Sequence, residues 1–337
     1  MTKLKVGIIG TGRLGKVYVR DLASRIPETT VVAVADIDRA LAASVANEFD
    51  VPKSHGSAEE LIADPNVDAI VIVTPTHAHR DNAIAAATSK KPTFCEKPPA
   101  LSLAECKAMS DAIEKSGSFF QMGFMRRFDP GYAAAKQKID QGAIGRPVVF
   151  KSSSRDPFRP SLEYANPKSS GGMLIDMGIH DFDLARWFMG DVKTVATIGA
   201  TIAYPELMTV GDIDNAVASL TFTSGKIGVV DLSRSGIYGY DIATEILGLE
   251  GTLKIGYLRE TPVMVLTKNS VTHDTVPYFM ERFRDAYTTQ LQNFAQNVLQ
   301  DRPAPITIDD GLEALRIGVA ATRAHETQKP VMVADIQ

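Results

Sequence analysis

A chain of 337 residues, with 45% hydrophobic and 23% charged side chains, is long enough for two domains with full cores and carries no signature of disorder. Its formal net charge of -4, with no basic run longer than Arg126-Arg127, gives no electrostatic footprint for nucleic acid or an anionic membrane surface. Cys95 and Cys106 match neither a metal-ligand spacing nor a disulfide framework, no signal-peptide pattern precedes the first strand, and no apolar run approaches the ~20 residues that span a bilayer, so the cytoplasm is the expected compartment.

The first predicted element is a strand, Lys5 to Ile9, followed by "GTGRLG" (10–15) and a helical pattern from Arg13 to Ile26 with Leu14, Val17, Tyr18 and Leu22 apolar at three-to-four spacing. Strand, glycine turn and helix in that order suit a dinucleotide. Gly10 permits the tight turn, Gly12 lets a pyrophosphate approach the backbone, and Gly15 lets helix and strand pack closely, with the phosphates at the helix N-terminus. The second strand, "TVVAVAD", ends at Asp36, 21 residues beyond Gly15. A carboxylate there accepts ribose hydroxyls and repels a 2'-phosphate, and Ile37 offers no cation, so NAD is predicted over NADP. Arg39 is the one nearby group that could hold a phosphate.

Helices and strands then alternate. A helix opens at Ser57 with Glu60 completing a capping box, "AIVIVT" (69–74) reads as a buried strand, and a further helix covers about 78–88. The strand "TFCE" ends at Glu96, a helix starts at Ser102 with Glu105 in the capping role, and "SFFQMGF" is the last strand of the series. Such alternation implies an α/β domain whose parallel sheet has helices on both faces. Beyond residue 127 the rhythm changes to a helix (130–141), "IGRPVVFKSSS", a glycine-led helix near 172–189, and β-rich runs between 192 and 268 that read as an antiparallel meander. Two late helices, about 280–300 and 309–327, are expected to return over the first domain or its junction. The predicted division is 1–125 and 126–337.

Four places offer chemistry. In "CEKPPA", Lys97 follows a parallel strand and precedes two prolines that restrict the backbone, which makes it a site group or a plain surface lysine. In "GGMLIDMGIHDFDLARWF", helical spacing puts Asp176, His180, Asp183 and Trp187 on one face, as a solvated stripe or as a general base steadied by an acid one turn away. Carboxylate and histidine without a third ligand fall short of a zinc site, so no metal is expected. In "GFMRRFDPGY", Arg126 or Arg127 reaches a polar substrate or clamps the domain junction. In "TPTHAH", His79 at the end of a strand lines the cofactor or merely starts the helix, while His55, His273 and His325 are expected at the surface.

"GTGRLG", the "AD" closing strand two, "TPTHAH", "CEKP", "GFMRRFDPGY", "SRDP", "GG(x)3D(x)3HD(x)D" and "YGYDI" together, in order and spacing, resemble the glucose-fructose oxidoreductase family, and within it the inositol 2-dehydrogenases. The resemblance runs essentially end to end. It implies an N-terminal Rossmann domain, a C-terminal α+β domain with an open, mainly antiparallel sheet, NAD as cofactor, and a homotetramer assembled through those sheets. It implies Lys97, Asp176 and His180 as the catalytic set, and Met125, Arg126, Asp156 and Tyr240 as pocket residues alongside them. The implied cofactor set is Gly10, Thr11, Gly12, Arg13, Leu14, Gly15, Asp36, Ile37, Thr74, Pro75, His79, Glu96 and Lys97. The expected reaction is oxidation of an inositol ring hydroxyl; an aldose or other sugar 1-dehydrogenase is the alternative, and a dinucleotide sensor, which has no need of the catalytic set, is a third reading. Family members vary around "SRDPFRP", so Asp156 is either a hydroxyl acceptor or a loop cap, and the stereoisomer stays open.

Overall fold

Six strands form the first sheet: β1 (Leu4–Ile9), β2 (Thr29–Ala35), β3 (Lys53–His55), β4 (Ala69–Ile72), β5 (Thr93–Glu96) and β6 (Phe120–Gly123). All pairings are parallel, in the order β3-β2-β1-β4-β5-β6. The central strands are buried along nearly their whole length, because helices cover both faces of a parallel sheet. Strand order reverses between β1 and β4, and open α/β sheets take their ligands beyond the carboxyl ends of the strands at such a reversal. The helix Arg39–Glu48 and the edge strand β3 are absent from the sequence reading; "KSH" is a largely polar three-residue strand with no apolar alternation to mark it.

Both capping boxes form with one adjustment. Ser57 and Ser102 each accept a bond from the backbone N–H three residues on, at 3.2 Å. The Glu60 and Glu105 carboxylates return to the N–H of Gly56 and Leu101, one residue before the cap itself.

This computed structural model describes residues 3–337, and the chain divides into two units: one runs up to Met125 and takes in Asp285–Glu313, the other comprises Arg126–Arg284 with Ala314–Gln337. Within the first unit, the helix Arg284–Leu299 puts Phe294 against Phe94 and Phe119, with ring centroids 5.9 and 5.8 Å apart, and Tyr287 against Tyr18. Among the described residues no helix is long and apolar enough to cross a membrane.

The second unit is built on β7 (Pro147–Arg155), β8 (Val192–Ala200), β9 (Asn215–Phe222), β10 (Ile227–Ser233), β11 (Asp241–Gly248) and β12 (Thr252–Ile255); a separate hairpin joins β13 (Val265–Leu266) to β14 (Val271–Thr272), and β15 (Val331–Met332) closes the edge. The sheet order is β12-β11-β7-β10-β9-β8-β15, antiparallel except for the parallel pair β7–β10. It is therefore not a simple meander: β7 is laid between β10 and β11, which follow it by more than seventy residues. Burial alternates along β9, β10 and β11 with period two, so one face is core and the other is open. The helix Ile179–Met189 buries Ile179, Phe182, Leu184 and Phe188 beneath that core face.

Candidate active site

The glycine turn is shaped by three different demands. Gly10 has φ +99°, and a Cβ there would lie 2.7 Å from the Val73 carbonyl oxygen. A Cβ on Gly15 would lie 2.2 Å from the Gly10 carbonyl oxygen, so helix Arg13–Ser24 can approach β1 only as glycine allows. At Gly12 a Cβ would meet nothing within 4 Å, and no side chain caps the helix that begins there. An exposed helix N-terminus with open space over a glycine fits a pyrophosphate. Asp36 stands beside it. One carboxylate oxygen accepts the N–H and hydroxyl of buried Thr11 at 2.8 and 2.9 Å, and the other accepts Asp38 N–H at 3.0 Å, which fixes the group a ribose would meet. Arg13 and Ile37 are exposed, Leu14 is half-buried, and the Arg39 guanidinium is turned to Glu60 at 3.0 Å.

Further along the same sheet edge, two predicted cofactor residues turn inward. His79 is buried, with Nδ1 2.7 Å from the Pro98 carbonyl and Nε2 2.9 Å from the Thr74 carbonyl, so it braces the loops after β4 and β5 instead of presenting an edge to a ligand. Burial holds its pKa below the ordinary imidazole range. Thr74 and Pro75 are half-buried and exposed, respectively, on the first of these loops. Glu96 also faces the core: Tyr18 Oη and Gln290 Nε2 (3.1 Å) donate to one oxygen, and Lys97 N–H donates to the other at 3.1 Å. Burial nevertheless holds its carboxyl above the usual carboxylate range. Lys97 therefore leaves the strand from a backbone gripped by its own neighbour, through a cis bond to Pro98. Met125, at the end of this stretch, is buried.

In the second unit the segment 172–189 is two helical pieces, Met173–Asp176 and Ile179–Met189. The solvated stripe is overturned, because His180 is 7% exposed and Asp183 is buried. The residues also serve different neighbours. Asp183 receives the Arg127 guanidinium through two bonds, 2.9 and 2.5 Å, with that guanidinium 5.6 Å over the Trp187 ring. Asp176 accepts the Tyr164 hydroxyl at 2.9 Å and lies 3.8 Å from Arg234, which is itself paired with Asp212.

Arg126 is buried within the second unit. It is 2% exposed, donating to Asp181 at 2.9 Å and to Ser154 at 3.1 Å, while Ser152 and Ser154 also donate to Asp181. A buried guanidinium persists only when so paired, and one carboxylate beside His180 satisfies three donors here. Tyr240 is buried edge-on to Tyr278 and Phe283, and burial pushes its phenol upward. Asp156 follows β7 with its backbone pinned on both sides, its N–H to Ser233 O and its carbonyl accepting Gly236 N–H, both 2.8 Å. Tyr164, Asp181, Asp212 and Arg234 escaped the sequence reading. Only Asp181, next to His180, had a positional signal; the others come together from segments up to 70 residues apart.

Comparison with known proteins bears on both units. Residues 4–124 match the family model described as the oxidoreductase family, NAD-binding Rossmann fold, and residues 136–333 match that family's C-terminal alpha/beta domain. A scyllo-inositol 2-dehydrogenase (NAD(+)) of Bacillus subtilis is 39% identical over 332 residues, covering 98% of this chain and 96% of the relative. A myo-inositol 2-dehydrogenase of Thermotoga maritima is 36% identical, over 99% of each chain. The crystal structure of a scyllo-inositol dehydrogenase from Lactobacillus casei with bound NAD(H) and scyllo-inositol superposes with a TM-score of 0.94 at 31% identity, covering 99% of this chain and 100% of that one.

Proposed function

We propose that this chain, which belongs to the glucose-fructose oxidoreductase (Gfo/Idh/MocA) family and is an NAD-dependent oxidoreductase, oxidises a ring hydroxyl of an inositol to the corresponding inosose. The observation that carries the reading is a carboxylate fixed by the Tyr164 hydroxyl, Asp176, at the end of one helical piece, four residues ahead of the buried imidazole of His180 in the next, a pair of groups suited to general base catalysis. When bound, NAD supplies the hydride acceptor. In this reading His180 takes the hydroxyl proton as the carbon–hydrogen electron pair leaves the same carbon, and a carbonyl forms there. Lys97 meets the developing alkoxide with its ammonium, and Asp176 supports the imidazolium. Gly12 and the helix start at Arg13 hold the pyrophosphate, and Asp36 takes the ribose hydroxyls. Asp156 and Tyr240 complete the polyol pocket, with Arg126 acting from beneath through its pair with Asp181.

Three things support an inositol as substrate: full-length similarity to inositol dehydrogenases of two bacterial genera, a relative's structure carrying both ligands, and the polar cluster itself. We further place the chain in the cytoplasm as a homotetramer. The test is NADH formation from a panel of myo-, scyllo- and chiro-inositol, glucose and galactose, run with NAD and with NADP. The reading predicts the highest kcat/KM with an inositol and NAD. A higher value with an aldose would make the chain a sugar 1-dehydrogenase, a higher value with NADP would overturn the role of Asp36, and no turnover despite NAD binding would point to a dinucleotide sensor.

A further inference from the structure

We propose that Tyr164 is a positioning residue for the reaction, its hydroxyl fixing the Asp176 carboxylate that in turn steadies His180; this rests on the roles given above to Asp176 and His180. Tyr164 lies on the short helix Leu162–Ala165, in the segment that links β7 to the glycine pair ahead of Asp176. Ser161 anchors that helix by accepting Tyr164 N–H at 3.2 Å. The tyrosine is partly exposed, yet its hydroxyl turns in and donates to Asp176 Oδ1 at 2.9 Å. The negative charge of Asp176, followed by burial, holds the phenol well above its ordinary range, so it works as a donor and not as a base.

The other carboxylate oxygen looks toward Arg234 Nη2 at 3.8 Å. Arg234 is buried and paired with Asp212, and Asp212 in turn accepts Met173 N–H at 2.9 Å, at the start of the helical piece that carries Asp176. The carboxylate is thus set between a deep charge that nothing can easily move and one hydroxyl delivered by a surface helix. The guanidinium cannot be removed cleanly, since its loss would strand Asp212 as a buried charge. The hydroxyl can, because phenylalanine keeps the ring.

A bond to an ionised group that orients a reacting residue is worth enough to show in turnover. The test is a double-mutant cycle in the full chain with saturating NAD: wild type, Y164F, D176N and the double variant, each assayed for kcat and KM on its best inositol and for NAD affinity and thermal midpoint. We expect Y164F to lower kcat by about tenfold in the wild-type background, with KM, NAD affinity and thermal midpoint near wild type. In the D176N background the same substitution should change kcat by less than about twofold, since the group it acts through is gone. An unchanged kcat in Y164F, or an equal loss in both backgrounds, would overturn the proposal while leaving the roles of Asp176 and His180 intact. A D176N enzyme with wild-type kcat would instead remove the reading of Asp176 and, with it, any role for Tyr164 through that carboxylate.

Discussion

Glu96 ends a strand as a buried group, while Lys97, the next residue, is half-buried, and that difference bears on what each can do. The Glu96 side chain meets Tyr18 and Gln290 in the interior, where burial raises its pKa despite three donors. A carboxyl raised in the folded state keeps its proton over a window, beginning near the ordinary ~4.3 of glutamate, in which the unfolded chain has released it. Unfolding then releases a proton, so this group's contribution to stability falls as pH rises through the window. E96Q cannot release that proton. Its thermal midpoint should therefore decline less than that of wild type between pH 5 and pH 8, measured by calorimetry; an unchanged decline would show that Glu96 is ionised in the fold. The sequence located strand ends well but could not say where their side chains point. That is why nothing in the sequence showed that the Glu96 and His79 side chains turn inward, or that Arg126 is buried against Asp181. Asp36 was legible as a strand-end carboxylate because that depends on local position rather than on a partner far along the chain, and the ribose role proposed for it rests on that position.

At the scale of elements, the glycine turn meets different steric demands within six residues. A Cβ at Gly15 would strike the Gly10 carbonyl oxygen at 2.2 Å, a backbone atom that cannot step aside, whereas a Cβ at Gly12 would enter open space. G15A should lower stability by roughly 1–3 kcal/mol, the usual scale of overpacking, together with NAD affinity. G12A should cost NAD affinity with a much smaller change in thermal midpoint, because its methyl occupies only the space a pyrophosphate needs. Equal loss of stability in both variants, measured by thermal unfolding beside NAD titration, would mean that Gly12 serves the fold and not the cofactor. The strands and helices with strong apolar periodicity were legible, including both serine caps. The helix Arg39–Glu48 and β3 were not, and neither was the insertion of β7 between β10 and β11. Its register pairs Arg155 with Ser233 and Asp241, and no local pattern records partners so distant.

The second unit's sheet leaves one face uncovered. Ile198, Ile227 and Leu247, 75%, 54% and 41% exposed, lie on it with Val217, which stands directly across from Ile198. These apolar side chains share the face with the ion pairs Lys151–Glu245 and Arg155–Asp231, and a mixed face of this kind suits burial against another copy, which the proposed homotetramer would provide. Light scattering should give four times the mass of one chain, and I198E with I227E should lower it; a single-chain mass for wild type would contradict the assembly. Two domains, a parallel sheet first and a mainly antiparallel one after it, were readable from the change of rhythm near residue 127, while the assignment of Asp285–Glu313 to the first unit depends on contacts between ends of the chain. The central claim is that His180 receives the substrate proton during hydride transfer to NAD, and the most direct test is the turnover of H180A on the best inositol, with NAD affinity measured on the same preparation. General base catalysis is typically worth ~10²- to 10⁴-fold, so kcat should fall by at least that order with NAD affinity near wild type. Wild-type kcat in H180A would contradict the account and assign the proton to another group.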